Sequence, residues 1–211
     1  MRTRSPWPLA PLLALAAACG SRADYELVHL RELLRHGDHA ALRAQHELLP
    51  ASVRERPEVR ELLLAAELEG AGLSSVDLVL ELPVLLGRLP AGARVLPTDL
   101  FEPGQRERVV SLAESGLAHP APPGSLARRL DVATLLVAGL TEHRAGHPAG
   151  LDRCLVALDA MATDPGPAGA AAAGILAELA ELPPRATVVE AGLAGADPRR
   201  AALARYLEAA P

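Results

Sequence analysis

Seven histidines, two cysteines and 26 carboxylates are the groups in this chain that could hold a metal or move a proton. His29, His36, His39 and His46 come at spacings of seven, three and seven, which could bring imidazoles together across a helical hairpin. That cluster would suit a helical metal-binding protein or enzyme. A zinc site needs ligands that converge on one point with an ordered outer shell. Residues seven apart on a helix lie two turns, about 10 Å, from each other, so the spacing favours scattered surface histidines. His143 and His147 have the i, i+4 spacing of helical metal ligands, but Gly146 and Pro148 end the helix between them. No H-E-x-x-H, paired cysteines or D-x-D is present. Glu67-x-Glu69 and Glu178-x-x-Glu181 have the pattern of solvated helix faces. The sequence assigns no catalytic, cofactor-binding or metal-ligating residue.

All 21 basic residues are arginine, and there is no lysine. P-loop, Schiff-base, S-x-x-K and kinase chemistries each need a lysine, so none is available. Beyond residue 18 the aromatic residues are Tyr25, Phe101 and Tyr206. That scarcity argues against base-stacking platforms for single-stranded nucleic acid or RNA. Arg35-His36-Gly37-Asp38 is similar to the R-H-G of histidine phosphatases. However, the residues before it, Leu30-Arg31-Glu32-Leu33-Leu34, have helical spacing, and no second paired histidine follows. The expectation there is a helix C-terminus at which His36 faces the negative dipole end.

Residues 1–18, MRTRSPWPLAPLLALAAA, place Arg2 and Arg4 before an apolar run that ends in small residues, the pattern of a secretory signal peptide. The run carries Pro8 and Pro11 and is shorter than the roughly 20 apolar residues a spanning helix needs. Leu15-Ala16-Ala17-Ala18-Cys19-Gly20 then resembles the lipobox of bacterial lipoproteins. That resemblance implies cleavage before Cys19 and lipid attachment at Cys19, and Gly20 implies the outer membrane where a cell has two. Several acyl chains, at about 0.8 kcal/mol per buried methylene, hold a protein at a bilayer. The alternative is plain secretion, since Ala16-x-Ala18 also suits the general signal peptidase. Loss of residues 1–18 leaves 19 arginines against 26 acids, a net charge of −7, which argues against nucleic acid and anionic headgroups as partners. With Cys19 acylated, Cys154 has no disulfide partner and is expected as a buried, inert thiol in a helix.

The mature chain is long enough to bury roughly 70% of its unfolded surface. Its core material is leucine, alanine and valine, and leucine and alanine are the strongest helix formers. The expected fold is all-α, with stacked antiparallel helix pairs forming an α-solenoid or an irregular helical bundle. Helices are predicted over Tyr25–His36, closed by Gly37; from Asp38, as cap, to Leu49; and from Pro57, with Val59, Leu62, Leu63 and Ala66 as an apolar stripe. Ser75 to Leu86 fits helix and strand alike, and the expectation is a mostly buried helix kinked at Pro83. Later helices are expected over Gln105–Ala118, Leu126 onward, Leu151–Ala162, Asp164–Leu182, Thr187–Leu193 and Asp197–Ala209. This divides the chain into a signal peptide (1–18), a lipidated linker (19–24), an N-terminal helical layer (25–88), a connecting loop (89–104) and a C-terminal layer (105–211).

Asp164-Pro165 and Asp197-Pro198 are 33 residues apart, each read as a cap and first turn. The second, Asp197-Pro-Arg-Arg-Ala-Ala-Leu-Ala, resembles the opening of HEAT-like repeats. Gly37-Asp38 and Pro57-Glu58 are faintly similar to tetratricopeptide units. Both resemblances imply stacked helix pairs that bind proteins. The small-residue run Gly166 to Gly174 reads as a helix pressed closely on its neighbours. The connection Val95 to Pro103 holds the only Phe of the chain, and long loops of this kind are often functional. Leu96, Asp99, Leu100, Phe101 and Glu102 are therefore the candidate binding loop, unless Leu96, Leu100 and Phe101 instead plug the end of the core. The function expected is a membrane-anchored, non-catalytic scaffold for other envelope proteins, with no cofactor. A histidine-based enzyme or metal protein and a carrier of apolar ligands are the alternatives.

Overall fold

Side-chain caps at Asp38, Ser74 and Ser125 start three of the described helices. A computed structural model describes residues 22–91, 96–97, 99–119, 121–182 and 198–208, all helix or connection with no strand. The expected helix at Thr187–Leu193 lies outside these residues. The chain forms two compact units, residues 1–62 and 63–211.

In the first unit α1 (Arg22–Arg35) stops at Gly37, whose φ of +71° is the left-handed geometry glycine adopts freely. There the Asp38 N–H donates to Leu33 O at 3.0 Å and the Gly37 N–H to Leu34 O at 2.9 Å. One residue later the Asp38 carboxylate accepts from the Ala41 N–H at 3.0 Å and starts α2 (His39–Leu48). Arg35-His36-Gly37-Asp38 is thus a helix-to-helix turn, as its charge spacing indicates. A short helix that sequence periodicity missed, α3 (Ala51–Arg54), follows Pro50. Next comes α4 (Pro57–Gly70), which begins in this unit and ends in the other. Among the described residues of this unit, Leu27, Leu30, Leu42, Leu49, Val53 and Val59 are the buried apolar ones.

The second unit is organised by one helix. In α7 (Leu126–Arg144) all thirteen residues from Leu130 to Glu142 are buried, so no face of that stretch meets water. It is walled by α5 (Ser75–Gly87), α6 (Pro103–Ala118) and α8 (Ala149–Ala162). Beyond α8 lie α9 (Pro167–Glu181), which also reaches α5, and α10 (Pro198–Glu208), which rests on α8 and α9. Helices α7 and α8 are antiparallel: Arg128 at the start of α7 donates to Ala160 O near the end of α8. The fold is all-α with antiparallel helix pairs, and this unit is an irregular bundle around a central helix. The boundary between compact units falls at 62/63; α5, assigned from sequence to an N-terminal layer, packs in the second unit.

Small residues let the helices meet. A Cβ on Gly139 would lie 2.7 Å from the Gly150 carbonyl oxygen and 2.8 Å from Cys154 Sγ, and a Cβ on Gly150 only 2.3 Å from the Gly139 oxygen. The α7 and α8 backbones therefore touch directly. In the small-residue run, Ala168, Gly169 and Ala172 are buried, as the tight-packing reading requires, while Gly174 is exposed with nothing within 4 Å of an added Cβ. Helix α5 departs from expectation. Ser74 caps it by accepting from the Asp77 N–H at 3.2 Å, and it continues through Pro83. But only Ser75, Val79, Leu82 and Leu86 are buried, while Val76, Leu80 and Val84 are exposed. The helix covers the core with one face and is not mostly buried.

Gly139→Ala is expected to lower the unfolding free energy by about 1–3 kcal/mol, the usual cost of overpacking a filled interior. Gly174→Ala should raise it by roughly 0.5–1 kcal/mol by restricting the unfolded chain and favouring helix. Urea denaturation followed by circular dichroism checks both.

Candidate functional site

Phe101 governs the candidate loop. The segment between α5 and α6 turns it inward, 2% exposed, into the core of the second unit, with Leu96 and Leu100 half-buried beside it. Arg144 at the end of α7 donates through Nη1 to Leu96 O. Apolar anchoring thus takes up Leu96, Leu100 and Phe101, as the core-plug reading expects. Asp99 and Glu102 remain exposed, and Glu102 is the residue that precedes the first turn of α6. Such a ledge can present carboxylates to solvent. Cys19 lies outside the described residues.

The histidines do not converge. His29 and His36 are exposed; His36 Nδ1 lies 2.8 Å from Glu32 O, its own helix terminus. His39 and His46 are half-buried on α2. Among the described residues no group of three His, Cys, Asp or Glu is placed to hold a metal ion. His143 and His147 are separated by a turn in which Gly146 adopts φ +83°. Cys154 is fully buried, its Sγ 3.8 Å from Leu136 O, and burial pushes its thiol far above the usual range. It is chemically quiet. Among these same residues no single helix is long and apolar enough to cross a membrane.

Charge is organised differently from what helix-face spacing predicts. Glu67 is not on a solvated face. Its side chain is 1% exposed, and both its oxygens accept from Arg108, Nε and Nη2 each at 3.1 Å. Gln105 adds a hydrogen bond to Glu67 O at 2.8 Å. The signal was present in sequence, because the helical neighbours Leu63, Leu64 and Ala71 are all apolar. The partner, 41 residues away, was not. Glu69 accepts from the Ser75 hydroxyl at 3.1 Å, whereas Glu178 and Glu181 are exposed as expected. Asp164 does not cap the helix that follows it. Helix α9 starts at Pro167 after Gly166, whose φ is +99°. The Asp164 carboxylate is instead fully buried, 2.8 Å from Arg128 Nε and 3.9 Å from Arg129 Nε, and it accepts from the Gly124 N–H at 3.0 Å. Two guanidinium groups at the start of α7 outcompete a helix terminus for this charge. The two Asp-Pro pairs consequently open their helices at different offsets, α9 at Pro167 and α10 at Pro198.

The same rule extends through the second unit. Arg153 pairs with Glu142 and lies 3.5 Å from Glu114; Arg199 pairs with Asp159 at 3.0 Å, and Arg200 with Asp152. The sequence of residues 63–211 holds 12 arginines and 18 acids, net −6. Six of those arginines, at 108, 128, 129, 153, 199 and 200, are turned to carboxylates of their own unit. Among the described residues Asp77, Glu81, Asp99, Glu102, Glu107, Glu178 and Glu181 have no ion pair and are exposed. Those six arginines face six carboxylates, Glu67, Glu114, Glu142, Asp152, Asp159 and Asp164, so the pairs cancel and the net −6 rests on side chains outside them. Comparison with protein-family models, with curated proteins and with solved structures finds no match.

Arg128→Ala is expected to cost about 3 kcal/mol, because it takes the nearer of two guanidinium groups from a buried carboxylate. Arg108→Ala, where the guanidinium is half exposed, should cost less. Chemical denaturation ranks the two. Burial also holds the His46 and His143 imidazoles below their ordinary value of 6.5. Below that value the unfolded chain binds protons that the folded one refuses, so stability falls as pH drops through and below 6.5 and is fully present above it. Denaturation midpoints near pH 7.5 and pH 5.5 should show that decline, and His143→Gln should reduce it.

Proposed function

We propose that this chain is a lipid-anchored protein of the cell envelope whose helical body is a non-catalytic docking scaffold for other envelope proteins. The observation that carries the reading is Leu15-Ala16-Ala17-Ala18-Cys19-Gly20 after a charged and apolar leader. Cys19 is the lipid attachment point, and Gly20 directs the protein to the outer membrane where there are two. Support for a scaffold comes from the body. An all-helical unit offers acids and apolar side chains to solvent, and six of its twelve arginines pair with its own carboxylates. Exposed charge of one sign steers and selects partners of the opposite sign.

Mass measurement of the mature N-terminus from a bacterial host tests the anchor. The expected product begins at an acylated Cys19 and fractionates with membranes, and Cys19→Ser moves it to the soluble fraction. A bare Cys19, or membrane association unchanged by Cys19→Ser, overturns the reading.

A further inference from the structure

The row Val76, Leu80 and Val84 on α5 is the surface feature that neither the fold nor an anchor accounts for. These side chains are 64%, 68% and 59% exposed, on a helix whose opposite face, with Val79, Leu82 and Leu86, is buried in the core. A spacing of four residues lines them up along one face over about 12 Å. Asp77 and Glu81 border that line on one side, both exposed and without an ion pair among the described residues. One i, i+3 step separates Asp77 from Leu80 and Glu81 from Val84, so each carboxylate flanks a member of the row.

We propose that this face docks a basic amphipathic helix of a partner protein, whose apolar row seats on Val76, Leu80 and Val84 and whose Arg or Lys flank lies over Asp77 and Glu81. The proposal rests on the scaffold reading above and adds to it the face and the partner's chemistry. Apolar anchors at i, i+4 and i+8 are the pattern by which helices are recognised. Charge decides between occupants. In a second copy packed antiparallel with Leu80 against Leu80, the Asp77 and Glu81 border of each chain would face that of the other, placing like charges together. Sliding the copies until Arg88 met Asp77 would set Val84 opposite Glu81 and break the apolar register. An anionic bilayer meets the same two carboxylates and the same net −6 of residues 63–211. A cationic helix satisfies both the apolar row and its acidic border.

The test uses the purified full chain and a fluorescein-labelled synthetic helix of leucines at i, i+4 spacing bordered by lysine, with a twin in which glutamate replaces lysine. Fluorescence anisotropy is expected to show binding of the lysine peptide, weakening with salt, and none of the twin. Leu80→Glu should weaken binding at least tenfold with an unchanged circular dichroism spectrum, and Asp77→Asn with Glu81→Gln should weaken it several-fold and flatten the salt dependence. Equal binding by Leu80→Glu, or equal binding of the twin, overturns the proposal. So does dimerisation in sedimentation, or binding to phosphatidylglycerol vesicles, that Leu80→Glu abolishes. Photo-cross-linkers placed at positions 80 and 178 in native envelopes separate the two readings. Capture of an envelope protein from 178 but not 80 overturns this face and leaves the scaffold standing, whereas capture from neither overturns both.

Discussion

A helix with no wet side constrains everything packed around it. From Leu130 to Glu142 each side chain of α7 has to fit among neighbours, and a close-packed interior tolerates few voids and few unserved polar groups. Glycine solves the fit where bulk would forbid it. Gly116 makes room for the Asp131 carboxylate, and Gly139 and Gly150 let two backbones meet. Two polar members of the helix are served locally or from the next helix, while the buried Thr134 hydroxyl has no hydrogen-bond partner among the described residues. Thr141 donates to Ala138 O at 2.8 Å, and Glu142 pairs with Arg153. Specificity of this kind, in which small residues and charge pairs admit one register, turns a leucine- and alanine-rich sequence into a single packing rather than a sliding set of them.

Arginine is the sole cation in the chain, and its fork geometry shapes the electrostatics. Glu67, Asp152 and Asp159 each offer a carboxylate to a guanidinium across tens of residues, and Asp164 lies between two. Such pairs tie helices together in one orientation, because a planar fork matches a carboxylate in few ways. Six arginines answer six carboxylates, so these pairs are neutral together and the net −6 of residues 63–211 is carried by side chains outside them.

Local signals were legible and distant ones were not. Gly37, Asp38 and Ser74 act within three residues of themselves, and the helix ends they set are where their chemistry places them. The buried thiol of Cys154 and the exposed Glu178 and Glu181 followed from helical pattern alone. Glu67 and Asp164 were misread because the groups that hold them, Arg108 and Arg128, lie 41 and 36 residues away in sequence. The apolar row of α5 was taken for core because hydropathy reports what a helix is made of, not how many neighbours surround it. Between α5 and α6, the burial of Phe101 shows the pull of an aromatic ring toward the apolar core beside it.

Confinement of the arginines also bears on digestion. An enzyme that cuts after arginine, such as trypsin, must draw the guanidinium into its own acidic pocket, and no lysine offers an alternative site. In the second unit that means prising Arg128 away from Asp164 or Arg108 from Glu67. Cleavage of the native chain therefore begins at its uncommitted arginines, Arg88 among them, and the bundle around α7 outlasts its edges.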